Sequence, residues 1–221
     1  MEPLRDLVQL HLFTDPLFDQ NCYVLRRRDT ERCLVIDPGL QADAALRFLE
    51  GEALACDRIL LTHGHPDHLA GVPTMKAALG CTAAIHPEDR WLLAEAGAFP
   101  GIPAGLPEVI CEDDLSAGQV IAWQGLEVAV LHTPGHTPGS VGFFLASPLP
   151  VLFAGDTLFA ESVGRTDFPG GSFSDIAASI RTKLYVLPGE TRVIPGHGPE
   201  TTIGHEREFN PFISAKAAEN N

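Results

Sequence analysis

The sequence predicts an α/β fold in which two β-sheets pack together with helices on the outside, carried by residues 1–221 as one domain. Three observations predict it. Short runs rich in Val, Leu, Ile, Tyr and Phe recur between Asp-Pro, Gly and charged turns. Stretches with apolar residues at helical spacing are interleaved with them. No linker-like segment divides the chain, and 45% hydrophobic residues over 221 positions are enough for a substantial core.

Val8 to Phe13, Asn21 to Arg26 and Arg32 to Ile36 read as successive strands, the third stopped by Asp37-Pro38-Gly39. Ala44 to Leu49 carries a helical spacing that ends before Gly51, and Asp57 to Thr62 reads as a buried strand. A helix is expected from about His68 to Leu79, a strand over Thr82 to His86 and a helix over Pro87 to Ala96. Gly97 to Pro107, rich in Gly, Pro and Ala, reads as a loop long enough to line a site. Val120 to Trp123 and Leu126 to Leu131 form a hairpin about Gln124-Gly125, followed by strands at Ser140 to Leu145 and Val151 to Ala154. Ser172, with Asp175 three residues later, starts a helix whose apolar face is Phe173, Ile176, Ile180, Leu184 and Leu187. Thr191 to Ile194 is read as the last strand.

Charge and cysteine usage narrow the function. A net charge of −14, with Arg26-Arg27-Arg28 the one basic run, excludes a nucleic-acid partner of the usual electrostatic kind. Five cysteines without a CxxC pair argue against a disulfide framework and for a reducing compartment. The sequence holds no apolar stretch of membrane-spanning length, and its start lacks the basic-then-apolar order of a signal peptide, so the expected setting is the cytoplasm.

The chemistry concentrates in Leu60-Leu61-Thr62-His63-Gly64-His65-Pro66-Asp67-His68, where three imidazoles and a carboxylate follow an apolar strand. Gly64 and Pro66 break regular continuation, so the side chains fan out. His63 and His65 can reach one divalent cation while Asp67 and His68 turn to another. Asp67 could also cap the following helix, but capping leaves three histidines unexplained. The same design recurs: strands run into His132, into Asp156 after Gly155, and into His197 after Gly196. Four such endings point to a dinuclear site.

These residues resemble the metallo-β-lactamase superfamily, with its HxHxDH motif and later His, Asp and His ligands, over nearly the whole chain. The resemblance implies a four-layer αββα sandwich of two mixed β-sheets flanked by helices. It implies His63, His65 and His132 on a first metal, Asp67, His68 and His197 on a second, and Asp156 bridging. Within the superfamily, Gly155-Asp156-Thr157-Leu158-Phe159, Pro195-Gly196-His197-Gly198-Pro199, Thr201-Thr202-Ile203-Gly204 and Asn210-Pro211-Phe212 look like the short glyoxalase II-like (hydroxyacylglutathione hydrolase-like) hydrolases. The cofactors implied are two divalent ions, zinc first, with iron or manganese as alternatives. The reaction implied is attack of a metal-bridging hydroxide, oriented by Asp67, on a thioester such as S-lactoylglutathione.

Around that set, Asp37 either fixes the tautomer of a ligand histidine or caps the Pro38-Gly39 turn. His136 is set outside the ligands, and His11, His86 and His205 are read as structural or surface residues. Arg165 is the candidate for binding a substrate carboxylate, such as that of a glutathione conjugate, with an Arg165–Asp167 pair as its structural alternative. Gly164-Arg165-Thr166-Asp167-Phe168 is also similar to persulfide dioxygenases, in which His63, His132 and Asp156 would hold one iron. A lactonase, a β-lactamase and a noncatalytic metal-stabilised binding protein are the further alternatives.

Overall fold

The elements follow from where the chain can bury apolar side chains and where it must turn. The structure is a computed structural model that describes residues 8–95 and 106–214. It resolves into two compact units, Met1–Leu115 and Ser116–Asn221, each built round its own sheet.

The first unit holds β1 (Val8–Thr14), β2 (Asn21–Arg27), β3 (Arg32–Ile36), α1 (Ala42–Gly51), β4 (Ala55–Leu60), α2 (Pro66–Leu69), α3 (Val72–Leu79), β5 (Thr82–Ile85), α4 (Arg90–Glu95) and β6 (Asp113–Asp114). The six strands lie in sequence order in one mixed sheet. β1, β2 and β3 pair antiparallel, and β3 through β6 run parallel. Parallel strands covered on both faces read as continuous apolar runs, and Cys33, Leu34, Val35 and Ile36 of β3 are all buried. Leu49, Ile59, Leu61, Leu69, Val72 and Met75 close the core against the helices.

The second unit holds β7 (Val120–Trp123), β8 (Leu126–His132), β9 (Val141–Leu145), β10 (Val151–Gly155), β11 (Leu158–Phe159), β12 (Ser162–Val163), α5 (Phe173–Ser179), β13 (Arg192–Pro195), β14 (Thr201–Thr202) and α6 (Ile203–Phe209). Its sheet has the order β14-β13-β10-β9-β8-β7, with β10 and β13 parallel and the other pairs antiparallel. Gln124 and Gly125 both take positive φ, which gives the β7–β8 hairpin the two-residue turn expected of it. Leu152, Ala154, Ile176, Ile180, Leu184 and Val193 form the core of this unit.

The α/β class with two mixed sheets is therefore observed. Four details differ from expectation. The helix read over His68 to Leu79 is broken at Ala70-Gly71, because Gly71 lies against the Pro38-Gly39 turn and donates its N–H to the Pro38 carbonyl at 2.8 Å. A methyl group there would sit 2.1 Å from the Ala42 Cβ. The helix read over Pro87 to Ala96 is a tight turn, Pro87–Asp89, followed by α4; Ala96 and most of the expected loop to Pro107 lie outside the described residues. The long helix from Ser172 begins as expected, with the Ser172 hydroxyl accepting from the Asp175 N–H, but passes into a π-helical turn over Ile180–Leu184. Thr182 there returns its hydroxyl to the Ala178 carbonyl at 2.8 Å, a bond that loosens helices. The strand expected last is followed by β14 and α6, both too short to show a period in the sequence. Among the described residues no helix is long and apolar enough to cross a membrane.

Candidate metal centre

In the first unit the chain leaves β4 at Leu60 and is pinned at once. Leu61 donates its N–H to the Ala84 carbonyl at 3.0 Å, and Thr62 donates its N–H to Asp37 Oδ1 at 2.7 Å and its hydroxyl to Asp37 Oδ2 at 2.6 Å. With that hydroxyl proton spent on Asp37, the 3.1 Å contact between Thr62 Oγ1 and His63 Nδ1 makes Nδ1–H the donor. His68 also donates Nδ1–H to Asp37 Oδ2, at 3.0 Å. Both imidazoles are thereby held in the tautomer that leaves Nε2 with a lone pair. Asp37 is buried and takes φ 50°, an unusual backbone conformation for a residue with a side chain. Of the two roles open to it, contact with a predicted ligand histidine is the one observed.

The donors of this loop stand in two pairs. His63 Nε2 lies 3.1 Å from His65 Nδ1, and Asp67 Oδ2 lies 3.7 Å from His68 Nε2. Two tetrahedral ligands at roughly 2.0–2.1 Å from one ion stand about 3.3 Å apart, so each pair has a separation suited to one cation. Asp67 lies in the first turn of α2 and does not cap it; the cap position is His65, with Pro66 next. Gly64 is fixed by Asp89, whose buried carboxylate accepts its N–H at 2.9 Å, and a methyl group there would meet Leu92 at 2.8 Å.

In the second unit β10 and β13 end side by side, with the Gly196 N–H donating to the Gly155 carbonyl at 2.9 Å. Asp156 and His197 follow these glycines. Asp156 Oδ2 lies 3.5 Å from His197 Nε2 and 3.5 Å from His136 Nε2. One carboxylate oxygen thus stands between two imidazoles, each at a separation two donors on one cation can have. His136 Nδ1–H donates to the Arg165 carbonyl at 2.8 Å, which again leaves Nε2 with a lone pair. The loop carrying it needs Gly135, at φ 136°, because a side chain would run into the Ile176 backbone at 2.1 Å.

The two histidines of this loop have different surroundings. His132, expected as a ligand, ends β8 and donates Nε2–H to the Pro138 carbonyl at 2.9 Å, whereas His136, expected to be a bystander, is buried beside Asp156. A local signal was present: glycine directly precedes His65, Asp156 and His197, and it also precedes His136 but not His132. Thr62, Asp89 and the Arg165 carbonyl were missed because hydrogen bonds across 25 or 29 residues leave no local pattern.

Arg165 makes a two-pronged pair with Asp167, both bonds 2.7 Å, and lies over the Phe168 ring at 3.7 Å. The guanidinium's hydrogen bonds hold the Asp167 carboxyl down to about 2. Of the histidines expected to be structural, His86 accepts the Glu88 N–H, His11 packs on Phe48 and His205 pairs with Glu161. All five cysteines are buried free thiols, and burial pushes Cys111 up to about 11.

An α/β chain with two mixed sheets and His/Asp donors at its strand ends has the build of a metal-dependent hydrolase. The family model of the metallo-beta-lactamase superfamily matches residues 15–197, and the chain belongs to that superfamily. It is 36% identical over 207 residues to the hydroxyacylglutathione hydrolase GloC of Haemophilus influenzae, covering 90% of this chain and 95% of that one. The crystal structure of BLEG-1 B3 metallo-beta-lactamase superposes with a TM-score of 0.85 at 34% identity, covering 94% of this chain and all of the other. That of TTHA1623 in a di-iron-bound form gives 0.81 at 36% identity, covering 91% and 99%.

Proposed function

We propose that this chain is a dinuclear metal-dependent hydrolase that cleaves a thioester such as S-lactoylglutathione or a related hydroxyacyl thioester. The observation that carries the reading is the pairing of donors: His63 with His65, Asp67 with His68, and Asp156 between His136 and His197. The residues that would hold the ions are His63, His65, Asp67 and His68 of the first unit and His136, Asp156 and His197 of the second. Zinc is the proposed ion, and the di-iron form of a similar protein makes iron its competitor. Residues 1–221 then act as one functional domain, which a family match running through both units supports.

Bound there, divalent ions lower the pKa of water to about 7 and so supply hydroxide at neutral pH. The chain's own groups do the rest. Asp67, next to His68, orients the nucleophile and accepts its hydrogen bond. Asp37 keeps two imidazoles in the coordinating tautomer, directly for His68 and through Thr62 for His63. Arg165, exposed beside the loop that carries Asp156, binds the carboxylate of an anionic substrate by exchanging it for Asp167. The 36% identity to a hydroxyacylglutathione hydrolase supports the thioester class.

The test is release of thiol from S-lactoylglutathione by the purified chain, with oxygen uptake on glutathione persulfide measured in parallel. Thiol release that is lost on chelation and restored by metal is expected. Asp67→Ala is expected to lower turnover by about 10²–10⁴-fold. Oxygen uptake without thiol release would replace the hydrolase by a dioxygenase.

A further inference from the structure

The hairpin β11–β12 begins two residues after Asp156 and delivers Gly164 and Arg165 back to the same place. At its base Gly164 has no room for a side chain: a methyl group would lie 1.8 Å from the Asp156 carbonyl and 3.2 Å from His136 Nδ1. The next residue supplies the carbonyl that orients His136. At its tip Glu161 takes φ 53° and gives its N–H to both oxygens of Glu206, at 3.1 and 3.0 Å. Glu206 on α6 is fully buried and also accepts from the Thr201 hydroxyl at 2.6 Å and Asn210 Nδ2 at 2.8 Å. Asn210 in turn donates Nδ2–H to the Ser162 carbonyl at 3.1 Å. Three donors converge on one carboxylate in four contacts, and a carboxylate alone can accept them all.

We propose that Glu206, with Asn210, is a positioning device for the metal centre. It clamps the tip of the β11–β12 hairpin, so that the hairpin base holds the Arg165 carbonyl on His136 and the backbone of Asp156 in place. The proposal rests on the reading of His136 as a ligand. Among the described residues Glu206 bonds to no proposed ligand side chain; its action passes through the hairpin backbone. The acidic residue looks like an ordinary helix-surface position in the sequence, and its role depends on burial and on donors from residues 161, 201 and 210.

The experiment titrates the full-length, metal-stripped chain with Co(II) alone, following its visible absorption, for wild type, Glu206→Gln, Thr201→Val and His136→Ala. Glu206→Gln keeps the volume but turns an N–H group toward the converging donors. It is expected to weaken binding of one Co(II) by about tenfold or more and to alter its spectrum, while the far-UV circular dichroism stays that of the wild type. Thr201→Val removes one donor and is expected to act in the same direction by a smaller factor; it decides the matter if Glu206→Gln does not fold. Wild-type affinities and spectra in folded Glu206→Gln, or in Thr201→Val when that is the folded variant, would overturn the clamp. Wild-type binding in His136→Ala would instead overturn the ligand assignment beneath it.

Discussion

Asp37 shows how much a single buried carboxylate decides. It accepts from Thr62 twice and from His68, and through Thr62 it sets the proton on His63. The sequence exposed Asp37 as a strand-end acid but not the relay, which depends on two strand ends being neighbours. His132 and His136 make the same point in reverse. His132 ends β8, and the turn at Pro134-Gly135 beyond it brings His136 to Asp156. His136→Ala is therefore expected to lower turnover by about 10²-fold or more and to lose one metal equivalent, while His132→Ala keeps two equivalents and activity within about threefold. Metal analysis of the two purified variants beside their kinetics checks this. Asp167 gives a pH prediction. Its pKa is depressed, so the pairing with Arg165 is complete above the ordinary carboxylate value of about 3.9 and is lost as pH falls through about 2. NMR titration should find that low midpoint in the wild type, and Arg165→Ala should return it toward the ordinary value.

Among the elements, the break between α2 and α3 has the largest consequence for the site. Apolar spacing alone reads His68 to Leu79 as one helix, because Leu69, Val72, Met75 and Leu79 keep a helical period through the break. The reason for the break lies outside the segment, in the Pro38 and Gly39 carbonyls and the Ala42 methyl group packed against Gly71. That contact joins the α2 end of the HxHxDH loop to the turn following Asp37, fixing the loop from both sides. Gly71→Ala would bring its methyl group to 2.1 Å from the Ala42 Cβ and 2.6 Å from the Gly39 carbonyl. Overpacking of this kind costs about 1–3 kcal/mol, and urea unfolding followed by tryptophan fluorescence should show a loss of that order. The longer strands, by contrast, were legible to within two residues, because buried parallel strands are continuous apolar runs and hairpins carry their turn chemistry with them, whereas the two-residue strands β6, β11, β12 and β14 carry no such pattern.

For the molecule as a whole, the superfamily and the α/β class could be read from the sequence. The proposed donors other than His136 were picked out because they stand beside an abrupt change from apolar run to glycine or proline, a local signal. What escaped was long-range: Glu206, Asp89 and the Arg165 carbonyl act through bonds spanning 25 to 45 residues. The central claim is that the His and Asp side chains gathered at the strand ends hold divalent ions. Anomalous diffraction from crystals of the metal-loaded chain tests it most directly. The account predicts peaks at the side chains of His63 and His65, of Asp67 and His68, and of Asp156 with His136 and His197. No peak at these side chains, or ions bound elsewhere alone, would contradict it.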